Sequence, residues 1–302
     1  MILPSSFARR RLAVLAAAVS LIAGQALAWG ATGHRLIGQL AIQALPPEVP
    51  AFLRGETAAK AMGELAREPD RWKGSGRTHD ADRDGGHFLD LGDDGRVLGG
   101  PALNALPATR EDYDTALRAA NVDSWKAGWL PYSIVDGAQQ LTKDFAYWRV
   151  DTAAVARAND PIRRTWFAGD AIARELLILR DLGALAHYVG DGSQPLHVSV
   201  HFNGWGDFPN PAGFTQNRVH GPFEGAFVHD FVKAPAVSAA MPPYVDCHCA
   251  VAERAAAYLA VTHAQVIPFY RLEKAGAFQH GDPRARCSRR CGWPPAPASF
   301  AT

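Results

Sequence analysis

The feature that most constrains the fold is the segment 165–189, which favours an α-helix over its whole length. Alanine, leucine and arginine recur throughout it, and all three are strong helix formers. Apolar residues at helical spacing also mark four further segments. These segments are 36–45, which Pro46 ends, 58–66, 132–148 and 251–271.

Strand signals are few, and the clearest is a short segment at 198–202, in which apolar and polar residues alternate. Neither an internal repeat nor β-α-β alternation is present. We therefore predict an all-α fold, a single mostly helical domain with long ordered loops. The loops are expected at 74–86, 92–109 and 202–217, where glycine, proline and polar residues concentrate. The core is expected to contain four tryptophans, Trp125, Trp129, Trp148 and Trp166.

The first 28 residues show the three parts of a secretory signal. Three arginines at 9–11 precede an apolar run at 12–23, and Ala26-Leu27-Ala28 forms a cleavage site. The apolar run is too short to span a bilayer, although an uncleaved anchor is the alternative. We expect an exported protein, periplasmic or extracellular, with a signal peptide at 1–28. A main domain at 29–280 and a Pro/Arg-rich tail at 281–302 would follow.

The charge of the mature chain limits its partners. Loss of the leader removes three arginines and leaves 28 basic and 30 acidic residues, a formal charge of −2. Long-range attraction to nucleic acid or to an anionic membrane therefore cannot come from the side chains overall. A polyanionic substrate would need a local positive centre, such as bound metal.

Four cysteines, an even number in an exported chain, predict two disulfides. A direct bond between Cys247 and Cys249 looks strained, so we expect this pair to bond to Cys287 and Cys291 and tie the tail to the domain. A zinc knot that includes His248 is the alternative, although Cys-x-Cys is not the usual spacing of structural zinc sites.

Histidines and carboxylates form several motifs with metal-ligand spacing. His187 and Asp191 lie four residues apart on the long helix and so share a face. Pro195 then turns the chain, which lets His197 return toward them. His220 and Glu224 repeat the four-residue spacing, and two further groups are Asp70 and the string His87-Phe88-Leu89-Asp90. Any one pair is commonly a surface pair, but the whole set is typical of zinc hydrolases.

Trp29 would become the amino terminus if the leader is cut after Ala28. A free amino group and the carbonyl of the same residue can form a five-membered chelate with a metal. His34 follows five residues later and could bind the same ion. This use of the chain end makes sense only if further ligands lie downstream.

These motifs resemble the zinc-dependent superfamily of S1/P1 nucleases and bacterial phospholipases C. The resemblance rests above all on Trp29 with His34 and on 187–197, and it implies a helical fold with three Zn²⁺ ions. One zinc would be bound by Asp70, His87, His187 and Asp191, and a second by His197, His220 and Glu224. The third would be bound by Trp29, His34 and Asp191 as a bridge. Three Zn²⁺ against three carboxylates leave about three positive charges for hydroxide and an anionic substrate.

The resemblance also implies the reaction, hydrolysis of a phosphodiester by zinc-activated hydroxide. Asp70 and Lys73 would be catalytic, because Asp70 can orient the nucleophile and Lys73 occupies the position of an arginine in the nucleases. Phe88 and Asp90 lie where the nucleases stack a base and hydrogen-bond its edge. Lysine keeps the positive charge but lacks the bidentate geometry of arginine.

Three functions remain open. The short spacing from Trp29 to His34 and the interval from His197 to His220 resemble the nucleases more than the phospholipases, which implies action on single-stranded nucleic acid or nucleotides. We expect such a nuclease to be a monomer. The Phe223-Glu224 pair looks more like the phospholipases C, which would act on phosphoglyceride head groups. A non-catalytic zinc-binding protein is the third hypothesis, but structural sites do not need three adjacent ions.

Overall fold

The computed structural model describes residues 29–243 and 247–279, and the predictions of a signal peptide at 1–28 and of a tail from 281 concern residues outside these ranges. Within them, the chain forms helices and isolated β-bridges but no strand. The all-α prediction is confirmed. In the same part of the chain, none of the helices has the length and apolar content that crossing a bilayer requires.

Thirteen α-helices are found in the described residues. They are α1 Gly30–Gln43, α2 Gly55–Leu65, α3 Glu68–Arg71, α4 Arg77–Ala81, α5 Arg110–Ala119, α6 Ser124–Ala127, α7 Leu130–Arg157, α8 Pro161–Gly192, α9 His220–Pro222, α10 Val228–Phe231, α11 Ala234–Ala240, α12 Val251–His263 and α13 Val266–Lys274. A π-helical turn, Phe223–Phe227, connects α9 to α10. Short 3-10 helices occur at Ala51–Leu53, Asp84–His87, Leu103–Ala105 and Pro195–His197.

The two longest helices, α7 and α8, form a hairpin and organise the domain. The carboxylate of Asp160 accepts a hydrogen bond from Ile162 N at 3.0 Å and caps α8, and Pro161 occupies its first turn. The second half of α8 is buried, with Ile178 and Leu185 in the core. Burial of this half places the C-terminal end of α8 and its side chains in the interior of the domain.

Close packing of α1 on α2 depends on a glycine. A Cβ atom added to Gly38 would lie 2.5 Å from the carbonyl oxygen of Met62. Any larger residue would force the two helices apart, because cores cannot absorb such an overlap without strain. The predicted helices 36–45 and 58–66 therefore form and pack as a tight pair.

A second apolar cluster holds the loop 202–217 against α13. Trp205 and Phe214 are buried, and the indole of Trp205 donates to Pro209 O at 2.9 Å. Tyr270 donates to His201 O at 2.6 Å and accepts from Gly204 N at 3.1 Å. The prediction of an ordered loop at 202–217 is confirmed.

Several local predictions were wrong. The segment 251–271 forms two helices, because Pro268 cannot donate to the carbonyl four residues earlier and a new helix begins at Val266. The predicted loop 74–86 contains α4 and the start of a 3-10 helix.

Two further predictions fail nearer the site and on the helix surfaces. The segment 198–202 is not a strand; isolated hydrogen bonds, such as Val200 N to Leu91 O at 2.9 Å, connect it to neighbouring loops. Trp125 and Trp166, expected in the core, are 62% and 63% exposed.

The predicted disulfide pairing was also wrong. Cys247 bonds directly to Cys249, with their Cα atoms 5.1 Å apart, inside the range that a disulfide spans. His248 between them has φ +49°, in the left-handed region, and this conformation turns the two side chains toward each other. Cys287 and Cys291 lie outside the described residues.

Candidate metal centre

The first cluster of side chains that could hold a metal ion comprises His34 from α1 and His187 and Asp191 from the end of α8. All three are fully buried. Asp191 Oδ2 lies 3.2 Å from His187 Nε2, and Asp191 Oδ1 lies 3.4 Å from His34 Nε2. The His34 and His187 rings stack with their centroids 3.8 Å apart. One carboxylate therefore faces two imidazoles, one from α1 and one from α8.

An adjoining cluster shares His187 and adds Asp70 and His87. Asp70 Oδ1 lies 3.9 Å from His87 Nε2 and forms an ion pair with Lys73 Nζ at 2.8 Å. Asp70 Oδ2 lies 3.8 Å from His34 Nε2. The short helix α3 thus carries its carboxylate to the same centre that α1 and α8 form.

The third cluster comprises His197, His220 and Glu224. Glu224 Oε1 lies 3.1 Å from His197 Nε2 and 2.8 Å from His220 Nε2. The two imidazole Nε2 atoms are 3.1 Å apart. His220 opens α9 and Glu224 lies in the π-helical turn that follows, a local distortion that is frequent at functional sites.

Four of these histidines hold their rings in the same way. In each, Nδ1 lies close to a backbone carbonyl, which can only accept, so Nδ1 carries the hydrogen and Nε2 presents its lone pair to the cluster. The bonds are His87 Nδ1 to Arg83 O at 3.0 Å, His187 Nδ1 to Ala66 O at 2.9 Å, His197 Nδ1 to His87 O at 2.6 Å and His220 Nδ1 to Phe202 O at 2.8 Å.

This arrangement leaves acceptor atoms facing acceptor atoms in the interior. His87 Nε2, His187 Nε2 and both carboxylate oxygens of Asp191 are buried and make no hydrogen bond, and neither ring nitrogen of His34 has a hydrogen-bond partner. Buried polar atoms without partners are costly, about 1–3 kcal/mol each. A cation between the lone pairs removes that cost, and backbone-anchored histidines are typical of metal ligands. The three clusters could therefore hold metal ions.

In the metal-free chain, burial and charged neighbours shift the pKa values of several of these side chains. Burial lowers the pKa of His34 and of His87. Burial opposes ionisation of Glu224, but His220 and His197 outweigh it and lower the pKa of Glu224 to about 2. Burial likewise disfavours charged His197, yet Asp191 and Glu224 raise the pKa of His197 to about 9.

Trp29 lies against the end of α8. Its indole Nε1 donates to Gly190 O at 2.7 Å, and Gly190 directly precedes Asp191. The indole also packs on Phe223, with ring centroids 6.0 Å apart. Trp29 is thus held between the α8 end, which carries the first cluster, and the turn that carries Glu224.

The structure also places the expected substrate-binding residues beside the third cluster. Leu89 N donates to His197 O at 2.8 Å, which holds the segment containing Phe88 and Asp90 next to His197. Burial raises the pKa of Asp90 to about 7, and His197 opposes this shift. Phe88 packs closely on Gly128, where a Cβ would overlap both its ring and its carbonyl.

Gln194 is a site residue that the sequence reasoning did not single out. It is completely buried, its Nε2 donates to Glu224 Oε1 at 2.7 Å, and its Oε1 accepts from Leu196 N at 2.9 Å. It therefore orients a carboxylate 30 residues away. Its position inside the string Gln194-Pro195-Leu196-His197 was the available signal.

No protein-family model matches this chain, and comparisons with curated proteins and with solved structures found no match either.

Proposed function

We propose that the protein is an exported, zinc-dependent phosphodiesterase of the type found in the S1/P1 nuclease and phospholipase C superfamily. Its substrate would be single-stranded nucleic acid or nucleotides. The observation that carries the proposal is the convergence of backbone-anchored imidazole Nε2 atoms on buried carboxylates in three adjoining clusters. A structural site would be closed and would not bring three such clusters together.

The donor atoms fit zinc, which takes imidazole nitrogen and carboxylate oxygen. In the proposal, Asp70, His87, His187 and Asp191 hold one ion, and His197, His220 and Glu224 hold a second. The third is held by His34, by Asp191 and by the amino group and carbonyl of Trp29 at a chain end produced after Ala28. The bond from Trp29 Nε1 to Gly190 O supports this placement of Trp29.

Bound zinc would supply hydroxide near neutral pH and neutralise a phosphodiester. The chain contributes orientation and charge. Asp70 holds the Lys73 ammonium at 2.8 Å, in a side chain that is 15% exposed, so Lys73 presents a fixed positive charge to a phosphate oxygen. Asp90 beside His197 offers a hydrogen-bonding group for a base, and Phe88 offers a ring face.

Phospholipase C action on a phosphoglyceride head group is the second candidate. It is favoured by Glu224, which stands after Phe223 where the nucleases place Asp after Trp. The extra methylene is accommodated, since Glu224 reaches both histidines within 3.1 Å. The same metals and the same Lys73 would serve either substrate.

Parallel assays decide between these activities. Zinc-loaded protein is given single-stranded DNA, single-stranded RNA and phosphatidylcholine vesicles, alongside His220→Asn and, as a matched control, His229→Asn at an exposed histidine outside the clusters. We expect nucleic-acid cleavage that only His220→Asn abolishes. Lipid cleavage without nucleic-acid cleavage would establish the second candidate, and no turnover by zinc-loaded protein would refute both.

A further inference from the structure

The outer face of α8 carries an apolar stripe that nothing in the described chain covers. Its large apolar side chains recur at helical spacing. They are exposed along the stripe, with Ile162 80% exposed near its start and Leu176 66% exposed near its end. With a rise of 1.5 Å per residue, the stripe from 162 to 176 is about 21 Å long. Its exposed residues are Ile162, Trp166, Gly169, Ile172, Ala173, Leu176 and Leu177.

The opposite face of α8, which packs on α7, includes buried polar contacts. Arg174 reaches Asp144 at 3.6 Å, and Asp144 is fully buried between the helices. Glu175 accepts a hydrogen bond from the indole of Trp148 at 3.1 Å. Turning the stripe inward would break these contacts and expose the charges that they compensate. The outward position of the stripe is therefore built into the hairpin.

Arginines concentrate at the end of the hairpin where the stripe begins. Four exposed arginines lie within or near the turn. Of three nearby acids, Asp160 caps α8, Asp151 is buried, and Asp170 lies 3.8 Å from Arg174. The arginines are Arg149, Arg157, Arg163 and Arg164. An apolar helix face with a tryptophan and flanking arginines has the chemistry of a helix that lies in the headgroup region of an anionic bilayer.

We propose that the α7–α8 hairpin docks the protein on an anionic lipid surface, with Trp166 and the stripe entering the headgroup boundary and the arginines contacting lipid phosphates. The area favours this occupant over a second copy of the chain. A stripe about 21 Å long on a helix about 10 Å wide covers a few hundred Å², below the ~800 Å² per partner of a standard interface.

Docking of this kind is independent of the proposed catalysis and compatible with the acidic mature chain. Attraction to surface charge falls off within about 10 Å at moderate ionic strength, so the local arginines decide the interaction. The cleavage assays and the binding assay below can therefore fail separately.

The test is co-sedimentation of the purified protein with vesicles of phosphatidylcholine, with or without phosphatidylglycerol. The test variant is Trp166→Ser with Arg163→Glu. The matched control is Trp125→Ser with Lys126→Glu, at a second exposed tryptophan beside a cation, where Lys126 Nζ lies 5.7 Å from the Trp125 ring centre. Thermal unfolding confirms that both variants fold, and Leu176→Gln replaces the test variant if it does not.

We expect binding to the phosphatidylglycerol vesicles that weakens with added salt. Arg163→Glu alone changes two charge units and should weaken binding about thirtyfold, at about fivefold per charge. Loss of Trp166 should weaken it further, and the control should bind like the unaltered protein. Absence of binding to anionic vesicles, equal losses in test and control variants, or a dimer in solution that Trp166→Ser dissociates would overturn the proposal.

Discussion

Replacement of Gln194 by Met tests the way the third cluster is held together. The substitution keeps the length of the side chain but removes two hydrogen bonds in a fully buried position. Glu224 Oε1 loses its 2.7 Å donor, and the Leu196 N–H loses its 2.9 Å acceptor. Glu224 remains charged, because its pKa is about 2.

The cost follows from these two losses. A hydrogen bond to a charged group contributes about 1.5–3 kcal/mol, and a buried N–H without an acceptor costs about 1–3 kcal/mol. Gln194→Met should therefore lower the free energy of unfolding of the metal-free protein by about 3–5 kcal/mol. Removing a side chain that orients a ligand should also weaken metal binding by about 10–100-fold.

Urea unfolding followed by circular dichroism measures the first quantity, and zinc competition with a chromophoric chelator measures the second. Gln140→Met is the matched control, since Gln140 Nε2 also donates to a buried carboxylate, Asp144 Oδ2, at 3.0 Å but lies outside the clusters. It should cost about 1.5–3 kcal/mol, the contribution of one hydrogen bond to a charged group, and leave zinc affinity unchanged. A cost below about 1 kcal/mol for Gln194→Met, or equal loss of zinc affinity in both variants, would refute the reasoning.

Two further predictions concern the packing and charge of α1 and α2, and both are measured as urea unfolding of the metal-free protein. Gly38→Ala should cost about 1–3 kcal/mol because the added methyl group overlaps Met62 O. Gly169→Ala, which meets nothing within 4 Å, should instead stabilise by up to about 1 kcal/mol, and equal effects would contradict this account. Glu64 is half-exposed, and hydrogen bonds from Arg35 and then Arg67 lower its pKa to about 2. With solvent screening, Glu64→Gln should cost about 1 kcal/mol at pH 7. That difference should shrink as pH falls from 4.5 toward 2, and a difference independent of pH would contradict it.

Local sequence patterns were sufficient to predict the helices and the pairs of candidate ligands that lie on one helix. The high helix propensity of 165–189 predicted α8, and the four-residue spacing predicted that His187 and Asp191 share a face. Spacing alone could not bring His34 and Asp70 to them, because those contacts join residues more than 100 positions apart. That expectation came from the resemblance, and the side chains lie together in the structure.

The failures have local physical causes. Helical periodicity tells which residues share a face but not which face points inward, and on α8 the face with Arg174 packs against α7. Trp166 is exposed for that reason. The Cys247–Cys249 bond depends on the left-handed backbone of His248, which a composition argument does not reveal. The break before Val266 follows from Pro268, whose position inside an apolar pattern was the signal to use.

The central claim is that three adjoining clusters bind three zinc ions and that the amino group of Trp29 completes one of them. Elemental analysis of the purified chain that begins at Trp29 tests it most directly, compared with a chain that carries one additional residue before Trp29. The account predicts three zinc ions per chain in the first and two in the second. Equal metal content in the two chains would contradict the role of Trp29, and one zinc or none in the first would contradict the three-ion centre.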